Sequence, residues 1–166
     1  MEILVLFSIF FVCIMVVAIG LSIMNYVFTG FGLMKMGETM GEKAPWLSWI
    51  PYANQFMLGK LGMNNTIGIL LVASNAVSAI LGGMIGFLGN LAEELTNSGL
   101  DIVIVILGII IMVYSIAVAI LYFVACHNLF KKFSDKATVM TVINVLTGGA
   151  IAPIFIFAIR NNQLRE

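Results

Sequence analysis

Charged residues are missing from four long stretches of the chain: Ile3 to Met34, Leu61 to Ala92, Ile102 to Phe130 and Ala137 to Ile159. A charge at the centre of a bilayer costs at least about 2.5 to 3.5 kcal/mol, and about 20 apolar residues of helix cross its hydrocarbon core. Each stretch therefore predicts a spanning helix, over about residues 3–28, 66–89, 102–130 and 137–159. The expected fold is an all-α polytopic membrane helix bundle with four transmembrane segments, forming a single domain over residues 1–166. Glu2 stands where a signal peptide carries Lys or Arg, and "NYVFTGFG" has no A-x-A pattern, so the first segment is expected to remain as a helix.

The fourth stretch differs from the others. Gly148, Gly149 and Pro153 sit at its middle, and proline removes a helical donor and crowds the preceding turn. It is read as a continuous span kinked there, with a re-entrant pair of half-helices as the alternative. Irregular backbone at that depth is tolerated only where protein or water satisfies it.

Between the first two segments, residues 44–60 mix Trp46, Trp49, Tyr52 and Pro51 into an otherwise apolar run that ends at Lys60. Amphipathic aromatic rings settle at headgroup depth, so this stretch predicts a short interfacial helix. Pro51 would stand at its first position, with Trp49, Tyr52 and Phe56 near one face. Trp46, Trp49, Tyr52 and Lys60 are candidate lipid-headgroup contacts. The plainer reading is an anchoring belt that sets helix tilt. The sharper one is a groove for a headgroup or a partner helix.

In the second segment Ser74, Ser78, Gly82 and Gly86 recur every four residues, with Gly83 alongside. Small-xxx-small faces let membrane helices approach closely, either inside one chain or between copies. Asn75 and Asn144 are amides at membrane depth, able to hydrogen-bond across helices.

Composition agrees with the pattern: 61% of residues are hydrophobic and 10% charged, against about 25% charged in soluble domains. Eight basic and eight acidic residues cancel, leaving no basic field of the kind nucleic acid requires. Their placement is informative. Lys35, Lys43 and Lys60 follow the first segment and Lys131, Lys132 and Lys136 the third, whereas "NLAEELTNSGLD" between the second and third has no basic residue. The positive-inside rule then puts the N-terminus outside and the two Lys-rich loops, 35–60 and 131–136, in the cytoplasm. Arg160 and Arg165 conflict with a complete fourth crossing, which would carry them outside. A re-entrant segment would remove the conflict.

No catalytic constellation emerges. The spans hold no acid or lysine, and Cys126 and His127 are adjacent on a helix, so their side chains point about 100° apart. One His and one Cys do not make a zinc site. Met34, Met36 and Met40 could in principle ligate Cu(I), but flexible apolar packing explains them better. Cys13 and Cys126 read as small apolar residues. No cofactor or metal is expected.

Two stretches, "KAPWLSWIPYANQFMLGKLG" and "LFKKFSDKATVMTVINVLTGGAIAPIFIFAIRNNQ", are similar to those of small uncharacterised multi-pass bacterial membrane proteins. The shared features are a W-x-x-W-I-P-x-A-N loop and a last apolar segment with proline before I-R-N. The resemblance covers about one third of the chain, implies the bacterial cytoplasmic membrane, and brings no activity with it.

The sequence thus points to a non-enzymatic membrane protein that works by helix packing, as a homo-oligomer or as a subunit of a larger membrane complex, with membrane lipid as its surroundings. The alternative is a channel or carrier for an ion, lipid or small solute, built on the broken fourth segment.

Overall fold

The computed structural model describes residues 2–95 and 98–165, with side chains described for 6–92 and 99–165. Thr96 and Asn97, and the side chains of Glu93 and Glu94, lie outside the described residues. Every described element is a helix: α1 (Glu2–Thr39), a 3-10 helix (Pro45–Trp49), α2 (Ala53–Gly62), α3 (Asn65–Leu95), α4 (Ser98–Phe133), α5 (Ala137–Leu146) and α6 (Ala152–Ile159). Three of these are long and apolar enough to cross a membrane: Leu6–Thr39, Asn65–Ala92 and Gly99–Phe133.

α1 runs 11 residues past its expected end at Phe28, to Thr39. Gly30, Gly32 and Gly37 do not stop it; they bring other elements close. A Cβ on Gly32 would lie 2.5 Å from Ile156 Cγ2, and one on Gly30 3.1 Å from the Trp49 ring. The helix ends instead at Gly41, whose φ of 74° is open to glycine at little cost. The Gly41 and Glu42 amides turn back onto the Glu38 and Gly37 carbonyls, the paired bonds of a Schellman stop.

The chain then doubles back along α1. Pro45 packs on Gly37 and Trp49 on Gly30, while the Tyr26 hydroxyl donates to the Trp49 carbonyl. Contact climbs α1 from Gly37 to Tyr26, about 16 Å at 1.5 Å per residue. α2 descends again: Met57 reaches Gly37, and Lys60 pairs with Glu42. The predicted interfacial helix is therefore a hairpin of two short helices, and its details need correcting. Pro45, not Pro51, occupies a first helical position, and Tyr52 is the residue before α2, with φ 67°. Trp49 packs on α1 while Tyr52 is exposed, so the two share no face.

The expected fourth span is replaced by a second hairpin. α5 has 10 residues and α6 has 8, about 15 and 12 Å long, each well short of a bilayer core. Gly148 and Gly149, with φ of 62° and 91°, end α5 with amides bonded to Val145 and Asn144. Pro153 starts α6, in the first-turn position where a missing N–H costs nothing. The chain then returns to its departure point: Asn162 donates to the Phe133 carbonyl and the Arg165 amide to the Lys132 carbonyl.

Both hairpins fill one end of the molecule. Leu33, Met36, Met57, Leu61, Leu129, Phe130, Phe133 and Ile156 form its core. α6 lies against α1, with Phe28 stacked on Phe157 at 4.5 Å, and meets α4 through Phe130 and Phe155. α2 crosses α3 and α4 at glycines: Cβ atoms on Gly59 and Gly62 would sit 2.7 Å from Gly68 Cα and 2.4 Å from the Ala125 oxygen. At the other end α1, from Leu6 to Ile23, is exposed throughout.

These contacts have a measurable consequence. Gly59→Ala and Gly62→Ala should each destabilise the protein by about 1–3 kcal/mol through overpacking against backbone, read as a lower melting temperature in detergent. Gly86→Ala, with nothing within 4 Å of the added carbon, should stay within about 0.5 kcal/mol of the parent.

Candidate functional site at the hairpin tips

The two hairpins bring their tips to one place. Asn54 and Gln55, in the first turn of α2, face Pro153 at the start of α6 across a cavity of about 140 Å³. Thr29 of α1, Leu58, Ile156 and Tyr122 of α4 complete its lining. On the other side of Tyr122 and Gln55, a second cavity of about 270 Å³ opens between α3, α4 and the α5–α6 turn. Asn75, Ser78, Ser115 and Gly148 line it.

Tyr122 joins the two spaces. Its ring rests on Gly149, where an added Cβ would lie 3.2 Å from Tyr122 Cε1. The left-handed turn at Gly148 and Gly149 is thus a stop for α5 and also a seat for this ring. Gln55 is the second shared wall. Asn75 donates to Gln55 Oε1 at 2.6 Å and to the Leu71 carbonyl at 2.9 Å, fixing the α2 amide against α3. Tyr114 donates to the Ser74 carbonyl at 3.0 Å, which ties α4 to α3 one layer away.

No residue lining either cavity is charged. Amides and hydroxyls in apolar walls can orient a small polar molecule, but they offer no fixed counter-charge. Nearby, Asn144 is 0% exposed with its side chain against Cys126 of α4, whereas Asn75 bonds directly to Gln55 across helices.

No family model, curated protein or solved structure matches the chain. The site is therefore judged on its own chemistry.

The candidate residues of the sequence fall into four groups. Gly148, Gly149 and Pro153 belong to the tip site. Of the small-residue face, Ser74 is buried against α4 and Ser78 lines the larger cavity, while Gly82, Gly83 and Gly86 meet nothing within 4 Å. Of the headgroup candidates, Trp46 and Tyr52 are exposed, Lys60 pairs with Glu42 beside the Phe56 ring, and Trp49 is packed. Trp49 sits edge-on to Phe31 and donates to Met34 Sδ at 3.2 Å. Met36 is core, Cys126 is buried, and His127 is bonded to Thr141 at 2.8 Å. Gln55, Thr29 and Tyr122 carry no signal of their own in the sequence, whereas Asn54 is the last residue of the W-x-x-W-I-P-x-A-N loop. Asn54 and Gln55 directly after an aromatic–proline tip are the one signal that could have pointed to them.

The Gln55–Asn75 bond can be weighed by a double-mutant cycle. Asn75→Leu leaves the Gln55 oxygen without its partner and should cost about 1–3 kcal/mol of stability in detergent. Gln55→Leu added to it should recover part of that loss, giving a coupling of about 0.5 kcal/mol or more.

Proposed function

We propose that the protein is a non-enzymatic membrane carrier or channel for small, uncharged polar solutes, with its site where the two hairpin tips meet. In this reading α1, α3 and α4 cross the bilayer and the two hairpins are re-entrant, entering and leaving on the Lys-rich side. That side is the cytoplasm of a bacterium, with the N-terminus outside. The observation that carries the proposal is the convergence of Asn54, Gln55, Asn75 and Tyr122 on two adjoining cavities between half-length helices. Broken helices meeting at the midplane are how transporters present polar groups to a solute inside a membrane.

Two features support the placement. The outer face of α5 and the turn is apolar and bare, with Leu146 80% exposed beside Val142 and Val145, a surface suited to lipid rather than water. The return of the tail to α4 also gathers Arg160 and Arg165 with Lys131, Lys132 and Lys136, so all the basic residues in described positions obey one orientation. Labelling tests this directly. In a Cys13→Ala background, cysteines placed at Lys131 and Asn162 should react with an impermeant maleimide from the same side, and one at Asn90 from the opposite side. Reaction of Asn162 with the Asn90 side would mean a fourth crossing.

Transport is tested in proteoliposomes with glycerol or urea as the osmotic probe. Vesicles holding the protein should equilibrate faster than empty ones. Replacing the polar lining by Thr29→Val with Asn54→Leu should slow them by about tenfold, the worth of one or two lost hydrogen bonds. Equal rates with and without protein would dismiss the reading.

A second reading, assembly through α3, is favoured by the bare glycines 82, 83 and 86, a surface on which a second helix could pack closely. Mass determination in nanodiscs should then show an oligomer or a bound subunit that Gly83→Leu abolishes. A strict monomer would remove it.

A further inference from the structure

A polar cleft of about 890 Å³ lies at the Lys-rich end, outside the tip site and lined by different residues. The α2–α3 connection forms one wall, the last turns of α4 another, and the start of α5 a third, with Arg165 of the tail at its edge. Lys131, Lys132 and Arg165 line it against a single acid, Asp135. Lys132 Nζ donates to the Leu61 carbonyl at 2.6 Å, which holds this cation in place at the end of α2. Arg165 reaches Asp135 only at 4.0 Å, both groups being largely exposed, so its guanidinium is nearly free to turn inward.

Two further groups of donors enter the same space. α5 begins here with Ala137 and Thr138 in the wall; Ser134 Oγ takes the Lys136 amide at 3.2 Å, and Lys136 itself makes no side-chain cap to the first turn. First-turn amides without intrahelical partners, at the positive end of the helix dipole, favour an anion. Asn64 also lines the cleft. Its Oδ1 accepts from the Ile67 amide at 2.9 Å, which leaves its NH₂ as a donor.

The geometry points to a binding site for a phosphate group in this cleft. Three cations, an uncapped helix start and an amide donor around one space match the charge and the many acceptor oxygens of phosphate. A carboxylate would use fewer of them. The phosphate has two possible sources at this position, the headgroup of an anionic phospholipid or a free phosphate in solution. The site is independent of the transport reading.

The test uses the full-length protein in detergent, titrated separately with inorganic phosphate and with short-chain phosphatidylglycerol, phosphatidylcholine serving as the zwitterionic comparison. Binding is followed by native mass spectrometry and by thermal stabilisation. The wild type should bind at least one of the two anionic probes. Lys131→Gln with Arg165→Gln, both surface positions, should weaken it by about tenfold or more. Lys35→Gln with Lys43→Gln, basic residues outside the cleft, should leave it unchanged. Phosphatidylglycerol binding alone assigns a lipid headgroup, and phosphate binding assigns a soluble source. Absence of both, or equal loss in the two variant pairs, would overturn the site.

Discussion

Gly148 and Gly149 turn their amides back onto Val145 and Asn144, and the position of everything that follows depends on this turn. A helix that stops within an apolar layer leaves carbonyls that no water reaches, so it must end on donors of its own. Glycine in the left-handed region supplies them, and the following Pro153 restarts a helix in the opposite direction. The same grammar, a glycine stop and a proline restart, ends α1 at Gly41 and begins the 3-10 helix at Pro45. Two half-length hairpins result, and each supplies the wall that the other lacks.

How much of this could be read from the residues follows from which interactions are local. Three helices long and apolar enough to span a membrane follow from apolar runs, because length and lack of charge act within one segment. Gly148, Gly149 and Pro153 mark a break for the same reason. Whether that break kinks or reverses the helix depends on contacts with α1 and α4, far away in sequence. Arg160 and Arg165 hinted at the answer, since a reversed segment keeps them beside the lysines. Gly30, Gly32 and Gly37 show the opposite difficulty. They look like the end of α1, yet they are where Trp49, Ile156 and Pro45 fit against a continuing helix. The most regular glycine face, on α3, is the one the chain leaves uncovered.

The tip site was illegible because its members come from α1, α2, α3, α4 and α6 and none is unusual alone. Thr29, Asn54, Gln55 and Tyr122 are ordinary polar residues in apolar stretches; only the reversal of both hairpins collects them. Their chemistry is neutral, which suits recognition by hydrogen bonds and shape. The basic residues Lys131, Lys132 and Arg165 gather at the Lys-rich end, where α4 stops and α5 starts.

The seat of α6 against α1 bears on the order in which the protein assembles. α1 leaves the ribosome before the other described helices, yet Phe28 and Gly32 await Phe157 and Ile156 of α6, which follows all of them. α2 likewise has no surface for Gly62 until Ala125 of α4 exists. The three long helices can therefore form one by one, whereas α2 docks only after α4 is made and the seat on α1 stays empty until α6 is made. Closure of such long sequence loops is slow, and the interval exposes polar backbone that a membrane punishes. The α5–α6 hairpin is the keystone that joins α1 to α4.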